Sequence, residues 1–302
     1  MTVEEPYAVQ TAAGVYAYVQ PDGGWCLNNA GWVSDGGQTL LVDTAATERR
    51  ALALREAVLA AGSPLPRTVV NTHHHGDHTY GNGVFAPALI VGHDHARTEQ
   101  LAAGHQLELI WPATDFGAIE ITAPDLTYND RLTLHVGDTE VRVLHPGPAH
   151  TTGDSVVWLP AQRVVFTGDL VFAGGTPFLA MGSLAGSLRA LELLRSLDAE
   201  TVVPGHGPLT DPTAYEATER YLRYVEELAR EGRAKGLTPL EVAQGADLGE
   251  FAAWRESERL VANVHRAYAE LDGRPEGVPL DIMAVLRDMT VMNGGTPILC
   301  HA

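Results

Sequence analysis

The chain has 302 residues, enough for one large α/β domain or a domain with an appendage, and at 45% hydrophobic and 19% charged residues it can bury a substantial core. With 38 acidic against 20 basic side chains its formal charge is -18, a field that repels phosphate backbones and argues against nucleic acid as the main partner. The N-terminal stretch lacks the basic-then-apolar pattern of a signal peptide, and no apolar run approaches the roughly 20 residues that span a bilayer. The expectation is a cytoplasmic protein with no membrane partner, in which Cys26 and Cys300, the only cysteines, are free thiols of a reducing compartment.

Val15 to Val19 and Thr39 to Val42 read as strands between Gly- and Asp-rich turns. A helix follows from about Thr47 to Ala61, with Leu54, Val58 and Ala61 on one face and Gly62 as its stop. Thr68 to Val70 is a buried strand running into a histidine cluster. Leu89 to Val91, Val141 to Leu144, Ser155 to Leu159 and Val164 to Phe166 are further strands. Leu184, Leu188, Leu191 and Leu194 share a helical stripe, and Thr201 to Val203 is a strand. After Thr210 the texture changes. Tyr215 to Ala234 and Glu250 to Leu271 have helical spacing and many charges, so residues 1–210 are expected as a catalytic domain and 211–302 as a helical extension.

The chemistry is densest in Asn71-Thr72-His73-His74-His75-Gly76-Asp77-His78. Imidazole and carboxylate are ligands of choice for Zn²⁺, and several must converge on one ion. Alternate residues His73 and His75 point one way where a strand ends, and the glycine turn brings Asp77 and His78 round to a second ion. Three more ligand types lie beside hydrophobic strands through Gly-containing turns: His150 in HTTGD (150–154), Asp169 in TGD (167–169) and His206 in PGHG (204–207). His74, between two ligands, is expected to point away. His93, His95, His105, His135, His145, His265 and His301 lack a metal-spaced partner and are assigned surface or packing roles.

These motifs, in this order, resemble the metallo-β-lactamase superfamily over roughly residues 10–210. The resemblance implies an α/β fold, the αββα sandwich, here with a C-terminal helical extension. It implies two zinc ions, with iron or manganese able to take their place. His73, His75 and His150 would hold one ion, Asp77, His78 and His206 the other, and Asp169 would bridge them. Asp77 would also be the catalytic carboxylate that orients the shared water, with Asp43 of TLLVDT (39–44) as support from behind. The β-lactamases of the best-known subgroup carry cysteine at the position of Asp169, which counts against lactam hydrolysis.

Leu170 to Gly186 is apolar and glycine-rich and directly follows Asp169, so it is expected to wall the metals. Trp25, Tyr80, Trp111, Thr176, Phe178 and Met181 are the candidate substrate contacts, and Phe116 a further aromatic of the cavity. Gly23 to Gly31, Thr176-Pro177-Phe178, Gly182 to Gly186, Glu258 to Ala267 and Asn293-Gly294-Gly295 further resemble the actinorhodin-type ring cyclases of bacterial aromatic (type II) polyketide pathways. That resemblance implies aldol ring closure of a poly-β-keto intermediate, with thioester release from an acyl carrier protein as partner. A glyoxalase-type thioesterase uses the same seven ligands but is expected to show paired basic residues for the glutathione carboxylates. A lactonase or small-ester hydrolase and a non-catalytic metal-dependent binder are the remaining readings.

Overall fold

The computed structural model describes residues 5–302. Among the described residues, twelve strands form two sheets. The first holds β1 (Tyr7–Ala12), β2 (Val15–Val19), β3 (Ala30–Asp35), β4 (Gln38–Val42), β5 (Thr68–Val70), β6 (Leu89–His93) and β7 (Leu126–Tyr128) in chain order. Its first four strands are antiparallel neighbours and β4 to β7 are parallel. The second holds β8 (Arg131–Val136), β9 (Thr139–Leu144), β10 (Val156–Leu159), β11 (Val164–Phe172) and β12 (Thr201–His206) in the order β12-β11-β10-β9-β8, with only β11 and β12 parallel.

Successive strand residues face opposite sides of a sheet, and here both sides are covered. Leu40, Val42 and Val70 face Val157, Leu159, Val164 and Phe166 in the layer between the sheets. Their neighbours Leu41 and Val69 turn outward onto Leu54 and Val58 of the helix Glu48–Ala60. Val156, Trp158 and Val165 likewise turn outward onto Leu184, Leu191 and Leu194 of the helix Leu184–Ser196. Two sheets between two helical layers is the αββα sandwich. Thr47 caps the first helix by accepting from the Arg50 N–H, and Ser183 caps the second through Gly186 N–H.

Several elements depart from their expected bounds. β11 does not stop at Phe166 but continues to Phe172, so Asp169 lies inside a strand, with Gly168 at φ 51° supplying the local twist. The helix expected over Glu250 to Leu271 is broken: a short 3₁₀ turn spans Gly249–Ala253 and the helix begins at Arg259. Between them Arg255 pairs with the 174–176 segment, its N–H donating to Gly174 O at 3.1 Å and its carbonyl accepting from Thr176 N–H at 3.0 Å, and Glu256 turns at φ 57°. Backbone committed to that bridge cannot continue a helix. The helices Thr213–Ala234, Arg259–Leu271 and Ile282–Met292 share one apolar cluster with the second sheet, where Leu222, Val225, Leu260 and Val264 meet Trp158 and Val202. No helix of the described residues is long and apolar enough to cross a membrane.

The helical segment also grips the wall that follows β11. Fully buried Asn263 accepts from Leu179 N–H at 2.9 Å and donates to Pro177 O at 2.8 Å and to Tyr221 Oη at 2.9 Å. Asn263→Ala leaves these buried groups unpaired and should lower unfolding free energy by about 2–4 kcal/mol, read from urea denaturation. A change within about 0.5 kcal/mol would show that the wall holds without this residue.

Candidate metal centre

Strand ends deliver the ligand types to one place. β5 ends at Val70, and Asn71 to His75 lead into the short helix Gly76–Thr79 that carries Asp77 and His78. His150 sits on a tight loop tied by the buried Asp154 carboxylate, which accepts from the N–H groups of Ala149, His150 and Thr151 at 2.8–3.2 Å and from the Thr151 hydroxyl at 2.6 Å. Asp169 comes from β11, and His206 is the last residue of β12.

His73, His75, His150 and Asp169 form one group, and Asp77, His78 and His206 a second, each with its donor atoms within 4.8 Å of one another. His75 Nδ1 lies 3.1 Å from His73 Nε2 and 2.9 Å from His150 Nε2. Asp169 faces both groups: Oδ2 is 3.4 Å from the Nε2 atoms of His150 and His206, and Oδ1 is 3.1 Å from His78 Nε2. Asp77 Oδ2 lies 3.4 Å from His206 Nε2.

The donors fit divalent ions. His78 Nε2 and Asp169 Oδ1 are buried without a hydrogen-bond partner, and both belong to the cluster. Buried unpaired groups are costly, and a dication is the partner that a neutral imidazole nitrogen and a carboxylate oxygen share. The far sides of the rings are held: His78 Nδ1 by Asp43 at 2.8 Å, His150 Nδ1 by Phe178 O at 2.6 Å, and His73 Nδ1 by the Thr72 hydroxyl at 3.1 Å. Asp43 in turn accepts from Thr72 N–H and its hydroxyl, both at 2.7 Å. Such outer contacts fix tautomer and ring orientation, so Asp43 stands where the sequence placed it, as a support.

The two groups differ in their hold on protons. Burial keeps His73 and His75 well below the ordinary imidazole value and His150 at about 4. Burial pulls His78 and His206 the same way, but Asp169 and Asp77, with Asp43 also acting on His78, outweigh it and raise both. Burial would raise the carboxyls of Asp77 and Asp169, yet the facing imidazoles hold both below the usual range.

A cavity opens over this cluster. Of the expected substrate contacts, Trp25, Trp111, Phe178 and Met181 line it beside His75, Asp77, Asp169 and His206. Tyr80 and Thr176 do not. The Tyr80 hydroxyl donates to Gly104 O and accepts from Leu107 N–H, bracing the segment that carries Leu107, and Phe116 packs behind it. Thr176 is buried, with its carbonyl taken by Arg259 Nη1 at 3.0 Å. Phe172 belongs to the wall expected over Leu170 to Gly186, and residues not anticipated in the lining include Cys26, Arg259, Ile282, Leu286 and Ile298. The last four of these come from the C-terminal ninety or so residues. His74 points away, 2.9 Å from Glu99 Oε2.

A family model described as the metallo-beta-lactamase superfamily matches residues 23–206. The chain is 33% identical over 153 residues to a hydroxyacylglutathione hydrolase of Rhodospirillum rubrum, covering 50% of this chain and 52% of that one. It is 31% identical over 210 residues to a hydroxyacylglutathione hydrolase of Chelativorans sp., covering 66% and 72%. It is 27% identical over 161 residues to an acyl-coenzyme A thioesterase of Homo sapiens, covering 47% and 56%. The chain thus spans about half the length of the first of these curated relatives. Among solved structures, a metallo-beta-lactamase from Pontibacter korlensis superposes with a TM-score of 0.59 at 23% identity, covering 72% of this chain and 99% of that one, a likeness of fold.

Two metal-binding outcomes follow. His150→Ala should reduce zinc content from two equivalents towards one, whereas Gly205→Ala, whose Cβ would lie 1.9 Å from Asp169 Oδ1, should disturb both positions. Full loading in either variant, by metal analysis, would remove that residue from the site. Protons compete more strongly at His78 and His206 than at His73, His75 and His150. Lowering the pH from about 8 to about 5 should therefore release the ion at Asp77, His78 and His206 first, with a plateau near one equivalent. Simultaneous loss of both ions would contradict this order.

Proposed function

The chain belongs to the metallo-beta-lactamase superfamily, and from that premise we propose that it is a two-zinc thioester hydrolase for acyl groups with a flat or bulky apolar body. The observation that carries this reading is the composition of the cavity: a floor of His75, Asp77, Asp169 and His206 beneath walls of Trp25, Trp111, Phe172, Phe178 and Met181. The relatives named as hydroxyacylglutathione and acyl-coenzyme A hydrolases support cleavage of an acyl–sulfur bond. The paired basic residues expected for glutathione carboxylates are not in the lining. Arg259 is its cation, and that guanidinium lies 3.9 Å over the Trp25 ring with Nη1 on Thr176 O. A glutathione thioester is therefore disfavoured against a more apolar one.

His73, His75 and His150 would hold one zinc, Asp77, His78 and His206 the other, with Asp169 between them. Held by these residues, zinc would supply an activated water and a Lewis acid for a carbonyl. Asp77 remains ionised because His78 and His206 outweigh its burial, so its Oδ atoms accept the proton of an attacking water and orient it. Phe178 meets Trp25 edge-on at 5.3 Å between ring centroids, and Trp25 tilts against Trp111 at 5.7 Å, so the three rings form a continuous surface that excludes water and positions the acyl body.

A second reading is favoured by one observation. The segments that resemble aromatic polyketide ring cyclases are joined physically: Arg259 and Asn263 of the tail hold the carbonyls of Thr176 and Pro177 in the wall. In that reading the substrate is a poly-β-keto chain delivered by an acyl carrier protein, and the same rings fold it for aldol closure. Lactone or small-ester hydrolysis makes no use of this wall.

Turnover of an aryl-acyl thioester of N-acetylcysteamine, followed by thioester absorbance, should exceed that of S-lactoylglutathione by at least about tenfold in kcat/KM. The reverse preference would overturn the apolar-acyl reading. Phe178→Ala should keep both zinc ions and lower aryl-acyl kcat/KM by about 10–100-fold, with a smaller effect on an acetyl thioester. Equal losses on both substrates would show that Phe178 does not contact the acyl body. Ring-closed products found by mass spectrometry with a poly-β-keto thioester would move the conclusion to the cyclase.

A further inference from the structure

Two thiols 274 positions apart in the chain meet at the rim of the metal cavity. Cys26 is buried and lines the cavity; Cys300 is half-buried and packs on the same cluster of Cys26, Tyr80, Trp111 and Phe116. The His301 N–H donates to Trp25 O at 3.0 Å, a bond joining the peptide units that lead out of Cys300 and into Cys26. That bond places the two cysteines on adjacent, contacting backbone segments, and a disulfide needs its Cα atoms within about 7 Å of each other. The two side chains lie close enough for each to act on the other's protonation, and both are free thiols.

The same terminal segment crosses between the two tryptophans of the cavity. Ile298 O accepts from Trp111 Nε1 at 2.9 Å, His301 O accepts from Arg50 Nη2 at 3.2 Å, and Ile298 itself lines the cavity. Hydrogen bonds of this kind contribute only about 1 kcal/mol each, so the strap can lift to admit a bulky substrate. A covalent tie would prevent that.

We propose that Cys26 and Cys300 are a redox modification site, at which a disulfide fastens the C-terminal strap over the metal cavity. The oxidant class is a small-molecule disulfide. The Cys300 thiolate attacks one of its sulfurs, forming a mixed disulfide and expelling the first small thiolate. Cys26 Sγ then attacks the Cys300 sulfur, its proton leaves with the second small thiol, and the Cys26–Cys300 bond forms. Two protein thiols are oxidised and one small disulfide is reduced to two thiols. The division of roles follows the environments: the neighbouring Cys26 thiol lowers the Cys300 thiol to about 7, whereas burial raises that of Cys26, so Cys300 is the attacking group and Cys26 the resolving one.

The test is exposure of the reduced, zinc-loaded protein to oxidised glutathione. Intact mass should fall by about 2 Da, and a non-reducing peptide map should contain a Cys26–Cys300 cross-link. Hydrogen exchange over residues 296–302 should slow at least about tenfold, and turnover of a bulky aryl-acyl thioester should drop about tenfold and return with dithiothreitol. Cys300→Ser should keep the reduced enzyme's activity and lose the oxidative response. Glutathione adducts on either cysteine without the cross-linked peptide would overturn the disulfide. A cross-link that leaves exchange over 296–302 unchanged would overturn the strap. Because mass and exchange need no turnover, a chain inactive on thioesters would refute the proposed hydrolase and leave this site standing.

Discussion

Five imidazoles and two carboxylates share one largely buried space, and the rest of the molecule is organised around that crowding. Without metal the arrangement is unfavourable: buried donors face one another, and His78 Nε2 and Asp169 Oδ1 have no partner. Two dications would turn the same atoms into ligands. The backbone must come unusually close to achieve this, and glycine is what permits it. Gly205 lies so near Asp169 that any Cβ would collide with its carboxylate, and a Cβ on Gly182 would strike the Ala149 carbonyl 1.9 Å away, beside His150. Asp43 and Asp154 then fix the His78 ring and the His150 loop from behind, and so determine where those two residues point.

The helical tail belongs to the site as much as to the fold. Arg266 donates to the carbonyls of Ala180 and Val278, Asn263 clamps the 177–179 segment, and Arg259 stacks on Trp25 while holding Thr176 O. Buried polar side chains that pair with backbone in this way fix one conformation, because every alternative leaves a charge or a donor unpaired. The wall over the metals is thereby rigid on its tail side, and its aromatic face is presented to the cavity. The terminal segment is tied down by Ile298 O and His301 through Trp111, Trp25 and Arg50.

The metals and the wall divide the work of the proposed chemistry. A polarised carbonyl and a water held by Asp77 serve thioester hydrolysis and, with an α-proton in place of water, enolate chemistry equally well. What discriminates between them is how long the acyl chain is held and in what shape, which is a property of Trp25, Trp111 and Phe178 and not of the ligands. A fold that hosts many reactions is specialised through such surfaces.

Local chemistry was legible in the sequence where neighbouring residues decide it. His73 to His78 are spaced for a metal whatever surrounds them, unbroken apolar runs at Val69-Val70 and Val164-Val165-Phe166 mark strands covered on both faces, and Leu184 to Leu194 marks a helix. Other features depended on partners far along the chain. That β11 runs on through Gly168 to Phe172 is set by its pairing with β12, and the break before Arg259 by a bridge to residues 174–176. Tyr80 and Thr176 looked like cavity residues because they adjoin ligands or wall, yet tertiary hydrogen bonds turn them into braces. Arg259, Ile282, Leu286 and Ile298 gave no sign of lining a metal cavity, since nothing local distinguishes them from ordinary helix or tail residues. The ligand set is a matter of residue type and order, which a sequence carries; the cavity is a matter of which distant surfaces meet, which only packing decides.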